Sequence, residues 1–90
     1  MKKYKIKIKE IELNSKYLTI TSTENKTFQT KIINGSINCR IINEERNEMF
    51  LSEINNDDLV TIYTKDAMID KIVIKNKYIF ISESSEELDI

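Results

Sequence analysis

The residues best able to do chemistry are four lysines near the start of the chain: Lys3, Lys5, Lys7 and Lys9. They alternate with Tyr4, Ile6 and Ile8. On a β-strand, alternate residues share a face and repeat about every 7 Å, so the four ammonium groups form one strip. Such a strip attracts a phosphate backbone, each contact releasing a condensed counterion. Base stacking would need aromatic rings beside the lysines. Tyr17, Tyr63 and Tyr78 are the candidates, because their positions in the alternation turn them outward or set them at strand ends. Tyr17, Lys31 and Arg40 fall on the second strand and beyond, where they would make a base-facing platform. The candidate nucleic-acid site is therefore Lys3, Lys5, Lys7, Lys9, Tyr17, Lys31 and Arg40. The competing account is plainer: lysines on a long strand keep it soluble and guard it against edge pairing.

Catalytic constellations are scarce. The chain has no histidine and so lacks the usual general base and metal ligand. Asp57 and Asp58 are adjacent and would point apart on a strand, so a turn accounts for them more simply. Ser and Thr are plentiful, but no base stands ready to activate one. No Gly-rich phosphate loop, Cys/His metal spacing or Asp-x-Asp calcium loop occurs. The sequence thus points away from an enzyme, and it implies no cofactor or metal.

Ninety residues fit one domain. Fourteen basic and 15 acidic side chains leave a net charge of −1, unlike a strongly basic nucleic-acid binder. The single cysteine, Cys39, excludes an intrachain disulfide and indicates a reducing compartment. Within Ile37–Ile42 it reads as a small buried hydrophobe. No apolar run has signal-peptide or membrane-spanning length, so the expected location is the cytoplasm or a particle assembled there. The abundance of Ile, Lys and Asn points to an A/T-rich genome.

The alternation that builds the lysine strip slips by one residue at Lys9-Glu10, after which Ile11 and Leu13 carry the apolar face. A β-bulge produces that slip, in a long first strand bent to serve both sheets of a barrel. Further strands are expected over Tyr17–Thr23, Thr27–Ile33, Ile37–Ile42, Leu59–Thr64 and Ile69–Lys75, with a last extended segment over Tyr78–Ser82. Leu18, Ile20, Phe28, Val60, Ile62, Ile72 and Ile74 would face inward. Asn34-Gly35 marks a tight turn. Asn43–Glu48 reads as a loop or one or two helical turns, and Met49-Phe50-Leu51 would dock onto the barrel. Ser52 would cap a short helical turn through Ile54. Phe50 and Phe80 read as core residues.

The segment from Glu83 to Asp89 carries four acidic groups and no basic ones. It reads as an acidic tail (83–90), disordered when free, on a domain spanning 1–82. That domain holds 14 basic against 11 acidic groups, a difference of +3. The tail looks like the acidic tails of single-stranded-DNA-binding proteins, which compete with nucleic acid for a basic groove, although it lacks their aromatic end.

The pattern as a whole resembles the OB-fold, a small barrel, and more narrowly a group of short bacterial OB-type domains of unknown function. The matching pieces are Ile11-Glu12-Leu13, Leu18-Thr19-Ile20, Ser36-Ile37-Asn38, the run Leu51–Ile62, and Ile69-Asp70-Lys71-Ile72. The group's turn glycine is Asp57 here, so either Asp adopts a left-handed conformation or the turn is built differently. The resemblance implies an all-β barrel of five or six strands with one short helical turn. It brings no activity, because OB-folds bind oligonucleotides, oligosaccharides or proteins.

Two functions follow as expectations. The first is weak, sequence-tolerant binding of single-stranded nucleic acid. The second is a non-catalytic interaction or assembly module, such as a virus or phage component. It would pair with a protein partner or a second copy through strand edges, helped by the apolar segment Tyr78-Ile79-Phe80-Ile81.

Overall fold

The computed structural model describes residues 1–75. The expected segment Tyr78–Ser82, with Tyr78 and Phe80, and the acidic tail lie outside the described residues. Seven strands form: β1 (Lys2–Leu13), β2 (Tyr17–Ser22), β3 (Thr27–Ile33), β4 (Ser36–Ile37), β5 (Arg40–Asn43), β6 (Leu59–Lys65) and β7 (Met68–Ile74). They follow the order β4-β3-β2-β1-β6-β7-β5. Neighbours are antiparallel except β5 and β7, which are parallel. β3 lies against β7, so the sheet curls into a nearly closed barrel.

The strand count is seven rather than five or six for a local reason. The stretch Ile37–Ile42 does not run as one strand. Ser36–Ile37 turns back on β3, and Arg40–Asn43 crosses to pair with β7. Asn38 and Cys39 make the corner, where Asn38 N–H donates to Lys31 O at 2.9 Å and Thr30 Oγ1 donates to Asn38 O at 3.1 Å. Cys39 is half-buried there rather than fully buried. Its thiol is pushed up to about 11, first by desolvation, so it remains protonated near neutrality.

β1 organises the barrel. Residues Lys2–Lys7 pair with β6, and Ile8–Leu13 pair with β2. The register shifts between Ile8 and Glu10, where the alternation slips. The turn before β6 is tied to this bend: Ile8 N–H donates to Asp58 O (2.9 Å), and Asp57 N–H donates to Ile8 O (2.7 Å). Asp57 has φ 72°, so the turn is built with Asp in the left-handed region. The Asp58 carboxylate accepts Asn55 N–H at 2.8 Å and closes the turn.

The inward positions make one core of Ile8, Leu18, Ile20, Phe28, Ile41, Ile54, Val60, Ile62, Ile69, Ile72 and Ile74. Thr30 and Ser22 are buried with them, and each side chain is hydrogen-bonded: Ser22 Oγ accepts Lys26 N–H at 3.1 Å. At the open end Tyr4 and Phe28 meet with ring centroids 5.1 Å apart, and Lys26 Nζ lies 3.9 Å from the Tyr4 centroid. Leu13 and Phe50 depart from expectation. Leu13 lies past the point where the barrel can cover it, and Phe50 is 77% exposed because it precedes the 3-10 turn Leu51–Glu53. Met49 and Leu51 on either side pack on the core instead. The Glu53 carboxylate accepts Phe50 N–H at 2.7 Å, which fixes the turn.

The β6–β7 hairpin turns on Asp66 (φ 52°) and Ala67 (φ 66°). Both positions lie in the left-handed region that a two-residue hairpin requires and that Asn-Gly serves best. Ala67 carries a Cβ there and has no polar side chain to offset the cost, which is about 1–2 kcal/mol. Ala67→Gly is expected to stabilise the protein by about 0.5–1 kcal/mol after the added unfolded-state entropy of glycine is subtracted. A thermal melt reads this as a midpoint raised by a few degrees. A lowered midpoint would show that the alanine is not strained.

Candidate nucleic-acid interface

The pairing of β1 with β6 and β7 decides which side chains share the outer face. Cross-strand partners lie on the same side of a sheet. Lys3 is opposite Tyr63, Lys5 opposite Thr61, and Lys7 opposite Leu59. Tyr63 is in turn opposite Lys71, and Thr61 opposite Val73. Lys75 N–H donates to Leu59 O at 3.1 Å, which sets Lys75 at the end of the same row. The face therefore carries three lysines on one border, Tyr63, Thr61 and Leu59 along the middle, and Lys71, Val73 and Lys75 on the far border.

Tyr63 is the centre of one end of this face. Lys71 Nζ lies 4.4 Å and Lys3 Nζ 5.9 Å from its ring centroid. Both cations sit within reach of the ring quadrupole, an arrangement worth about 0.5–1 kcal/mol at an exposed site. The ring is half-buried. At the other end a groove of about 360 Å³ opens, with Lys5, Lys7 and Lys75 around an apolar floor of Leu59 and Val73. Leu59 is 49% exposed. Glu44 lines the same groove.

The expected site residues divide between two faces. Lys3, Lys5 and Lys7 stand together as expected. Lys9 falls at the bulge, and its Nζ donates to Asn25 Oδ1 at 2.8 Å, away from the other three. Tyr17 and Lys31 are cross-strand partners on β2 and β3. Their sheet face also bears Glu12, opposite Thr19, and Glu10, opposite Thr21. Arg40 reaches the edge beside Lys71, but its guanidinium is paired with Glu48 at 2.9 Å. This pair is exposed and weak. The outward face of β2, β3 and the second half of β1 thus mixes acid and base, whereas that of the first half of β1 with β6 and β7 is predominantly basic.

Lys71 and Lys75 complete the basic face, and the residue-by-residue reading did not single them out. They alternate with Val73 on β7, a signal visible in Lys71-Ile72-Val73-Ile74-Lys75. Only the register of β6 and β7 shows that they stand across from the lysine strip.

The sheet edges are guarded. Along β5, Met49 N–H donates to Ile41 O (2.8 Å) and Asn43 N–H to Asn47 O (3.0 Å), so the chain's own loop occupies that edge. β4 is two residues long. Short and covered edges are poor templates for strand addition. Among the described residues, no helix is long and apolar enough to cross a membrane.

The described chain is a small, all-β, nearly closed barrel with one predominantly basic sheet face. No protein-family profile, curated protein or solved structure matches it.

Proposed function

We propose that this protein binds single-stranded nucleic acid weakly and with little sequence preference, on the outer face of β1, β6 and β7. The observation that carries this reading is the convergence of Lys3, Lys5, Lys7, Lys71 and Lys75 on one face with Tyr63 between two of them. The lysines neutralise phosphates. A base displaces Lys71 from the ring and stacks on Tyr63. Base–aromatic stacking is worth about 1–3 kcal/mol, more than an exposed cation–π contact. We read the barrel as OB-like. The meander β1–β2–β3, the long bent β1 shared between sheets, and the parallel closure by β5 support that reading. In this chain the basic face lies one strand over from the β2–β3 surface.

The acidic segment Glu83–Asp89 follows a barrel whose last described residue, Lys75, lies on the basic face. Its four carboxylates compete with nucleic acid for the lysines at low salt. Fluorescence anisotropy of a labelled single strand of about 20 nucleotides tests both statements, because that length exceeds the usual site of one barrel. Salt is expected to weaken binding steadily. A chain ending at Ser82 is expected to bind more tightly than the full chain. If neither chain binds at low salt, the lysine face is only a solubility device and the nucleic-acid reading fails.

A further inference from the structure

The groove at the Lys75 end of the basic face has an apolar floor, which a phosphate contact does not require. Leu59 and Val73 make that floor, and Leu59 is 49% exposed. The volume of about 360 Å³ is at the small end of ligand clefts. We propose that the chain's own segment Tyr78-Ile79-Phe80-Ile81 docks in this groove and that nucleic acid must displace it. The docking stands on the groove itself, and the displacement rests on the nucleic-acid reading above. An apolar anchor is thereby added to the charge competition of the acidic residues that follow the segment.

Reach and order along the chain select this occupant. The chain arrives at the border of the groove at Lys75, whose N–H donates to Leu59 O at 3.1 Å. Tyr78 is three positions further on, so the loop to be closed is short. The segment has four consecutive large apolar side chains, and covering them on Leu59 and Val73 is favoured in proportion to the area removed from water. The order of charges also matches. From β7 the lysine border on β1 is two strands away, about 10 Å. Glu83 lies eight positions past Lys75, a reach of up to about 26 Å. The apolar run therefore crosses Val73 and Leu59, and the acidic residues from Glu83 onward come to the Lys5 and Lys7 border. Glu44 lines the opposite side of the groove, because Asn43 is opposite Ile74 and Glu44 follows alongside Lys75. The first charged residue past Lys75 is Lys77, so the acids of the segment lie on the side away from Glu44.

Methyl NMR on the full chain tests the docking without nucleic acid. The double variant Ile79→Ser/Phe80→Ser removes one side chain from each side of an extended segment and leaves every charge in place. The Leu59 and Val73 methyl resonances are expected to shift in this variant, while those of exposed Leu13 and Ile33 and of buried Ile62 stay where they are. Dilution is expected to leave the difference unchanged, as an intramolecular contact requires. Anisotropy with a labelled oligo(dT) of about 20 nucleotides then reads the displacement. The double variant is expected to bind roughly three- to tenfold more tightly, the reciprocal of the fraction of chains whose groove is open. That gain is expected to persist at moderate salt, where competition by the carboxylates is screened. Leu59→Ser removes the floor instead and is expected to give a gain in the same direction; a loss would overturn the displacement. Unmoved Leu59 and Val73 resonances overturn the docking, and a shift that fades on dilution assigns the groove to a second copy and overturns it too. Shifted resonances with no gain in affinity overturn the displacement alone. If oligo(dT) does not bind at low salt, the nucleic-acid reading fails, and the resonances still decide the docking.

Discussion

A Lys5→Glu/Lys7→Glu double variant is expected to lose binding to a single strand by on the order of 100-fold at low salt, while its thermal midpoint stays within a few degrees of the parent. The binding loss has two parts. Two phosphate contacts disappear, and two carboxylates now repel the backbone beside Lys75 and Lys3. Each phosphate contact to a single strand adds about 0.7 to the slope of log affinity against log salt, so the slope should fall by about 1.4. The melting temperature should hold because both side chains are exposed and stand opposite Thr61 and Leu59 on the solvent side of the sheet. Surface changes of this kind move stability by about 0.5 kcal/mol or less. Some relief of lysine–lysine repulsion offsets any loss. Anisotropy and a circular-dichroism melt on the same sample decide the matter. Full binding by the double variant would remove the basic face from consideration. The matching change at Lys31, across from Tyr17, is expected to cost far less, since Glu10 and Glu12 already neutralise that region.

The largest effect on stability is expected at Ile62. This side chain is fully buried at the centre of β6, between β1 and β7, with Tyr4 opposite it on one side and Ile72 on the other. Ile62→Ala removes three carbons from a site whose neighbours are held by two ladders of backbone hydrogen bonds. The barrel cannot collapse into the space. The cost is about 2–5 kcal/mol, transfer and cavity terms together. A domain of this size has only about 5–10 kcal/mol to lose. Each kcal/mol shifts the midpoint by about 4–8 °C, so a drop of at least 10–15 °C is expected in a thermal melt. The control is Leu13→Ala. Leu13 is an aliphatic side chain 58% exposed at the barrel end, and its loss should cost about 0.5 kcal/mol or less. Equal shifts for the two variants would mean that the inward face of β6 is misassigned.

The contrast between Ile62 and Leu13 shows where the sequence stops being sufficient. Both look the same by alternation, because period-2 patterning reports a face and not how far the barrel extends to cover it. The inward set Leu18, Ile20, Phe28, Val60, Ile72 and Ile74 was legible because alternation over five or more residues admits only one phase. The bend of β1 was legible for the same reason: a slip at Lys9-Glu10 inside an otherwise regular strand admits a bulge and little else. The corner at Asn38-Cys39 was not legible. Nothing in the run Ile37–Ile42 forbids a continuous strand, and the change of partner from β3 to β7 is a long-range event. Phe50 reads as core by composition, yet the turn beginning at Leu51 gives the inward places to its two neighbours.

The basic face divides in the same way. By itself the sequence determined that Lys3, Lys5 and Lys7 share one side of one strand, since backbone pleating alone requires it. It also determined the barrel class and the absence of histidine chemistry. Tertiary structure alone decided what lies beside those lysines. Pairing register set Tyr63 opposite Lys3 and Lys71 opposite Tyr63. It left Tyr17 and Lys31 on another face, and the parallel crossing of β5 carried Glu44 into the groove. Register is fixed by the fit of buried side chains between strands distant in sequence, so no local pattern of charges discloses which of them meet.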